Sequence, residues 1–192
     1  MKLHYKGKYD LNPESLPHGE HVPGAVKFKE AENSKKLSLI ANALGVVIML
    51  LLAIPAWFRC KEYLVLNTWQ LSAGCLASIV ILFPHEILHA VCFKEDVYLY
   101  TNWKQGMLFV VGPETMSRRR FIIMSLLPNI IFGIVPYIIG MIFPNLVFLL
   151  VFGTLSFGMG AGDYYNVYNA LTQMPKGART YLYGFNSYWY MP

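Results

Sequence analysis

The sequence FPHEILHA, at residues 83–90, ends a long apolar run and contains a His-Glu-x-x-His pattern. Residues four apart on a helix lie on the same face, so His85 and His89 can direct ring nitrogens at one metal ion. Glu86 lies one position round the helix, where a carboxylate acts on a water molecule instead of binding the metal. A carboxylate inside an apolar span costs roughly 2.5–3.5 kcal/mol on insertion scales. The pattern therefore predicts a metal site with Glu86 as its base, and a chance match is the weaker interpretation.

The composition predicts an integral membrane protein. Of 192 residues, 55% are hydrophobic and 14% are charged, whereas about 25% of the residues in a soluble domain are charged. Several apolar runs reach the roughly 20 residues that cross a bilayer as a helix. The formal net charge of +5 then fits basic residues that flank membrane spans. No soluble segment combines a basic helix with stacking aromatic residues, so nucleic acid is not an expected partner.

The three cysteines do not predict a metal or disulfide framework. Cys60, Cys75 and Cys92 are an odd number at wide spacing, which fits neither paired zinc-binding cysteines nor a set of disulfides. Cys92 lies too far along a continuous helix to reach a metal held between His85 and His89. We expect it to be a buried apolar residue.

Polar segments divide the chain into a membrane domain with two flanks. Residues 1–36 are basic and rich in proline and are predicted to form a cytoplasmic arm, with a short strand near residues 26–28. Residues 172–192 are predicted to form an aromatic cytoplasmic tail. Between these flanks, at 37–171, the predicted fold is an all-α integral membrane domain of four transmembrane helices. The predicted helices lie at about 37–58, 69–93, 121–143 and 146–171.

Two features set the boundaries of these spans. Residues 121–162 carry no charge, and as one helix they would be roughly 60 Å long, about twice the hydrocarbon thickness. We therefore expect two spans there, with a turn at residues 144–145. A charged turn is expected at residues 59–62. Pro84 is expected to kink the second span one turn before the metal ligands.

Two β-prone runs, residues 97–100 and 107–111, predict a small hairpin between the second and third spans, with a polar turn at residues 101–106. Its exposed edge could pair with an extended peptide by strand addition. An amphipathic loop lying on the membrane interface fits the same composition equally well.

Basic residues predict the orientation. Fourteen of the sixteen Lys and Arg residues fall in the arm, in the segment between the second and third spans, or in the tail. The positive-inside rule then places both termini in the cytoplasm. We expect a multi-pass protein of the cell membrane.

A third metal ligand is expected on the last span. A catalytic zinc usually takes three protein ligands, and no histidine follows position 89. Asp163 is the only acid in the last two predicted spans, and it lies about as far along the fourth span as His85 and His89 lie along the second. Glu114, in the polar segment, is a rival ligand. The non-functional alternative for Asp163 is a helix-end carboxylate among the lipid headgroups.

The surroundings of Asp163 suggest close helix packing. Asp163 follows a run of small residues, which let neighbouring helices approach closely. These residues are Gly158, Gly160, Ala161 and Gly162. Asn166 and Asn169 follow at three-residue steps, where they could orient the carboxylate, bind substrate backbone, or hydrogen-bond between helices.

These motifs resemble a bacterial family of zincin peptidases of unknown function. The resemblance rests on the His85–His89 motif, the β-prone segment after it, SLLP at residues 125–128 and GAGDYYN at residues 160–166. The chain is more distantly similar to site-2 intramembrane metalloproteases, which pair such a motif with an aspartate on a later span. The resemblance implies that His85, His89 and Asp163 bind Zn²⁺ and that Glu86 is the catalytic base. The chain departs from the site-2 pattern around Asp163, which has neither Asn-Pro before it nor Gly after it, and in having no PDZ module.

We therefore expect a zinc-dependent intramembrane endopeptidase that cleaves a membrane protein or peptide near the cytoplasmic side of the bilayer. The expected partners are this substrate and the lipid bilayer. Two hypotheses from other classes stay open, a metal or proton transporter and a non-catalytic membrane adapter with structural zinc. A single His set disfavours the transporter, and Glu86 disfavours the adapter because a structural site needs no base. The ligand set would also accept iron or cobalt.

Overall fold

Helices make up most of the chain in the computed structural model, which describes residues 2–105 and 107–192. Among the described residues, three α-helices precede residues 91–117 and four follow them. They are α1 (Ser34–Leu66), α2 (Thr68–Val80), α3 (Leu82–Ala90), α4 (Arg118–Pro128), α5 (Val135–Ile142), α6 (Val147–Met159) and α7 (Ala161–Gln173). A π-helical turn, Asn129–Ile134, joins α4 to α5.

The described helices include two to four candidate membrane spans. Residues 34–66 and residues 118–142 are each long and apolar enough to cross a membrane alone. The pair α2 and α3 and the pair α6 and α7 reach that length only together, and they are bent by 41° and 50°. If each bent pair crosses as one span, the count is four. This result supports the predicted membrane protein.

The helix boundaries correct one prediction. The charged turn expected at residues 59–62 is helical, because α1 continues to Leu66. Arg, Lys and Glu have straight side chains that favour a helix, so the charges at residues 59–62 do not end α1. The break falls at Asn67, whose side-chain amide donates to the carbonyl of Tyr63.

The kink expected before the metal ligands is confirmed. The helix breaks between α2 and α3 at Ile81, three residues before Pro84. A proline ring clashes with the carbonyl four residues earlier, which here belongs to Val80. Pro84 is compatible with the first turn of the new helix, where its missing N–H is not needed.

Helix α6 is the centre of the bundle, where it packs against α1, α2 and α5. Leu150 and Val147 on this helix are almost fully buried. Gly140 and Gly153 lie at the contact between α5 and α6, and a Cβ on either would clash with the backbone of the facing helix. Close backbone contact of this kind is typical of helices that pack in a membrane.

Two small sheets are built from the segments before, between and after the helices. The first sheet has the order β1-β3-β4, with β1 parallel to β3 and β4 antiparallel to it. The second has the order β2-β7-β6-β5, and its neighbouring strands are antiparallel. The strands are β1 (Leu3–Lys8), β2 (Val26–Lys27), β3 (Val97–Asn102), β4 (Met107–Val111), β5 (Met116–Ser117), β6 (Arg179–Tyr183) and β7 (Asn186–Tyr190).

The predicted hairpin is confirmed as β3 and β4, and the predicted strand near residues 26–28 as β2. The turn between β3 and β4 is shorter than expected, because β3 runs to Asn102 and residues 103–105 form one 3₁₀ turn. Gly106 lies outside the described residues. The all-α prediction is incomplete, because the arm contributes β1 and β2 and the tail contributes β6 and β7. Their pairing partners lie far away in sequence, as in the parallel match of Leu3 with Val97.

A half-buried carboxylate joins the arm to the tail. Oε1 of Glu30 accepts a hydrogen bond from the backbone N–H of Ser187, at 2.6 Å. Burial raises the pKa of Glu30 to about 7. Because the folded state holds this proton more tightly than the unfolded state does, the stabilisation is complete below pH 4.5 and is lost as the pH rises through about 7.

We expect Glu30→Gln to reduce the loss of stability between pH 5 and pH 8, because glutamine keeps the acceptor oxygen without a charge. A pKa near 7 corresponds to at most about 3 kcal/mol of destabilisation at pH 8. Thermal unfolding in detergent micelles at both pH values measures the effect, with the exposed Glu20→Gln as control. Identical pH profiles for Glu30→Gln and the unaltered protein would contradict this prediction.

Candidate metal centre

The structure brings the three predicted metal ligands together. Helix α3 carries His85 and His89, and the first turn of α7 carries Asp163. Nε2 of His85 lies 3.1 Å from Oδ2 of Asp163, and Nε2 of His89 lies 3.2 Å from Oδ1. The side chains are 10–14% exposed. Each bend lies about one turn before a candidate ligand, at Ile81 before His85 and at Gly160 before Asp163.

The hydrogen bond at the far side of the His89 ring fixes which nitrogen faces Asp163. Nδ1 of His89 lies 2.9 Å from the carbonyl oxygen of Met124. A carbonyl only accepts, so Nδ1 carries the hydrogen and Nε2 of the neutral ring presents a lone pair. That lone pair would face a carboxylate oxygen at 3.2 Å, so the contact needs either a second ring proton or a metal ion between the two atoms. A backbone partner of this kind is the usual support of a metal-binding histidine.

The donor set fits zinc. Two imidazoles and one carboxylate form one of the common catalytic zinc sets, with ligand bonds of about 2.0–2.2 Å. Tetrahedral geometry at those lengths places ligand atoms about 3.3 Å apart, close to the observed 3.1 and 3.2 Å. Ligand atoms of His85, Glu86 and His89 also lie within 4.8 Å of one another. The residues present could therefore hold Zn²⁺ between His85, His89 and Asp163.

Glu86 lies beside this centre and contacts a strand edge. Its Oε2 accepts a hydrogen bond from the backbone N–H of Val110 in β4, at 3.0 Å. Glu86 and the three candidate ligands line a cavity of about 430 Å³, together with parts of α1 and β4. The carboxylate is thus held at the cavity wall, between the candidate ligands and β4.

Asn129, which sequence reasoning missed, holds Asp163 in place. It is 1% exposed, and its Nδ2 donates to Oδ2 of Asp163 at 2.8 Å and to the carbonyl of Ser125 at 2.9 Å. The hydroxyl of Tyr164 donates to its Oδ1 at 3.2 Å. Asn129 begins the π-helical turn, a feature that occurs frequently at functional sites. A polar residue inside an uncharged span was the signal in the sequence.

The two other candidate asparagines have different positions. Asn166 lines the cavity with Asp163. Asn169 does not line it, and its Oδ1 instead accepts from Gln173. Gln173 in turn bonds both the N–H and the carbonyl of Lys29. Of the roles that the sequence left open for Asn169, the structure shows hydrogen bonding, in a network that attaches the arm to α7.

Glu114 is not a third ligand. It accepts hydrogen bonds from the backbone N–H groups of Lys94 and Glu95 and pairs with Arg120. The Arg120 guanidinium also donates to the carbonyl of Cys92. Burial opposes ionisation, but these donors hold the pKa of Glu114 below its usual value. The pair fixes the end of α3 against the start of α4.

Neighbouring glycines of α6 and α7 provide a matched test of this geometry. A Cβ on Gly160 would overlap the side-chain amide of Asn129, whereas a Cβ on Gly162 would meet nothing within 4 Å. We expect Gly160→Ala to displace Asn129 and weaken zinc binding about 10–100-fold, the usual effect of losing a support of a metal ligand. Gly162→Ala should leave zinc affinity within about threefold, which is under 1 kcal/mol. Competition with a chromophoric chelator in detergent measures both, and equal affinities would contradict the role given to Asn129.

Comparison with known proteins gives a family match. A family model described as "Putative zincin peptidase" matches residues 78–179, more than half of the chain. The match runs from the end of α2 to the start of β6 and includes Asn129 and all the candidate metal-centre residues. No curated protein and no solved structure matches the chain, so the distant similarity to site-2 proteases stays a prediction.

Proposed function

The chain belongs to this family of zincin peptidases, and from that membership and the geometry of the centre we propose that it is a zinc-dependent intramembrane endopeptidase. The observation that carries the proposal is the convergence of His85, His89 and Asp163, with Glu86 at the wall of the same cavity. Zn²⁺, when bound, would lower the pKa of a water ligand and polarise the peptide carbonyl.

Glu86 is the proposed general base. The N–H of Val110 holds Oε2, so Oε1 accepts the proton of the attacking water. The same carboxyl then returns that proton to the leaving amine nitrogen. A fixed position matters here, because proton transfer needs the base within hydrogen-bond reach of the water.

The edge of β4 is the proposed binding strand for the substrate. Carbonyls of a transmembrane helix are occupied by its own hydrogen bonds, so the cleaved segment must be extended. The N–H of Val110 points away from β3 and is taken by Glu86. Alternation places the N–H and carbonyl of Leu108 on the same edge, and these two groups are the ones proposed to pair with the peptide. A peptide added to this edge would run past the metal centre.

Sheet pairing supports the proposed topology of four spans with both termini cytoplasmic. The arm and the segment between α3 and α4 share the first sheet, and both share the second sheet with the tail. All three segments therefore lie on one side of the bundle, which requires an even number of crossings between them. Fourteen of the sixteen basic residues also lie in these segments, as the positive-inside rule expects for the cytoplasmic side. Cleavage would then occur in a membrane-embedded protein near its cytoplasmic end.

A pair of substitutions separates catalysis from metal binding. Glu86→Gln keeps an oxygen for Val110 and leaves the ligands intact, so we expect normal zinc content and a loss of cleavage of about 10²–10⁴-fold. His85→Ala should lose both zinc and cleavage. The readouts are metal analysis of the purified protein, and mass spectrometry of products from a set of synthetic transmembrane peptides.

Glu62→Gln, at an exposed carboxylate of α1, is the control and should retain both properties. Cleavage by Glu86→Gln at the unaltered rate would refute the role of the base. A structural-zinc adapter predicts zinc binding with no cleavage by any of the proteins.

A further inference from the structure

A second cavity, of about 240 Å³, lies between the two sheets. Tyr9, Leu16 and Phe109 line it on the side of the first sheet, and Leu182 and Ser187 line it on the side of the second. It shares part of its wall with the cavity of the metal centre. The residues that line both are Leu37, Phe109, Val110, Met124 and Asn166.

The alternation of side chains along β4 shows which face of the first sheet the cavity lies on. Phe109 and Val111 lie on one face of the sheet, where they pack near Tyr9 and Leu16. The inter-sheet cavity is on that face. The side chains of Leu108 and Val110 lie on the opposite face, because side chains alternate along a strand, and Val110 borders both cavities where they meet. A peptide paired with this edge would direct every second side chain towards the inter-sheet cavity.

The cavity suits one large side chain. Clefts that hold drug-sized ligands have volumes of about 300–1,000 Å³, so 240 Å³ is space for a single residue and not for a separate molecule of that size. Most of the lining is apolar, and its carboxylates are engaged, Glu114 with Arg120 and Glu30 with Ser187. An apolar side chain gains from burial in such a space, whereas a charged one would lose its hydration without a partner.

We propose that the inter-sheet cavity is a specificity pocket for one large apolar side chain, aromatic or long aliphatic, of a peptide bound along β4. This inference rests on the proposed function and names the class of peptide that the centre selects. Leu182, which lines the cavity from β6, is the proposed specificity-determining residue.

Binding of defined peptides tests the pocket without cleavage. The protein is zinc-loaded Glu86→Gln in detergent micelles, and the probes are fluorescent decapeptides of alternating Ala and Thr with Phe, Leu, Ala or Asp at one central position. We expect the Phe and Leu peptides to bind about tenfold or more tightly than the Ala peptide, from the burial of one large side chain. The Asp peptide should bind more weakly than the Ala peptide.

Substitutions at two residues of β6 test whether the pocket causes the preference. Leu182→Trp, in the Glu86→Gln background, fills the cavity. The affinities for the Phe and Ala peptides should then differ by no more than about threefold. Tyr183→Trp adds bulk at the next residue, which does not line the cavity, and should keep the preference. Leu182→Ala enlarges the space and should favour a Trp peptide over the Phe peptide, which provides a readout even if Leu182→Trp does not fold.

The outcomes separate this inference from the proposed function. If peptides are cleaved by the unaltered protein but bind without preference, or if Leu182→Trp keeps the preference, the pocket is refuted and the peptidase stands. If no peptide is bound or cleaved, both proposals fail.

Discussion

The carboxylate of Asp163 imposes the constraint on which the site depends. It lies among apolar helices, where an unpaired charge would cost several kcal/mol. Nε2 of His85, Nε2 of His89 and Nδ2 of Asn129 all lie within 3.2 Å of its two oxygens. Because Nδ1 of His89 donates to the carbonyl of Met124, the contact between Nε2 and Asp163 needs either a second ring proton or a metal ion. Either one supplies the positive charge that the buried carboxylate requires, and in the proposed function it is the metal ion.

Three interruptions of regular α-helix position the residues around Asp163. The break before Pro84 sets the direction of α3, the π-helical turn presents Asn129, and the bend at Gly160 starts α7 one turn before Asp163. The sheets then add the second half of the site, because β4 brings its open edge to Glu86. The arm pairs with β3, which is the partner of β4, and the tail pairs with β5, which follows β4 in the chain. The polar flanks therefore support the strand that contacts Glu86.

Features with a local period could be predicted from the sequence, and those set by distant pairing could not. The four-residue spacing of His85 and His89 and the depth of Asp163 follow from helix geometry, and the structure brings the three together. Asn129 escaped prediction because its orientation depends on a π-helical turn, which shifts the helix face by a residue. The strands β1, β6 and β7 escaped because short polar and aromatic runs form strands only with their partners. Asn169 follows Asp163 by six residues, which places it about 120° round the helix, and its side chain contacts Gln173.

The central claim is that one metal ion is shared by two imidazoles and one carboxylate. Zinc K-edge X-ray absorption, on purified protein carrying one equivalent of zinc, tests it most directly. The account predicts nitrogen and oxygen neighbours at about 2.0–2.1 Å, with the outer-shell scattering of two imidazoles. His85→Ala should remove one of those imidazoles. Sulfur at about 2.3 Å, as a cysteine ligand would give, or a spectrum that His85→Ala leaves unchanged, would contradict the account.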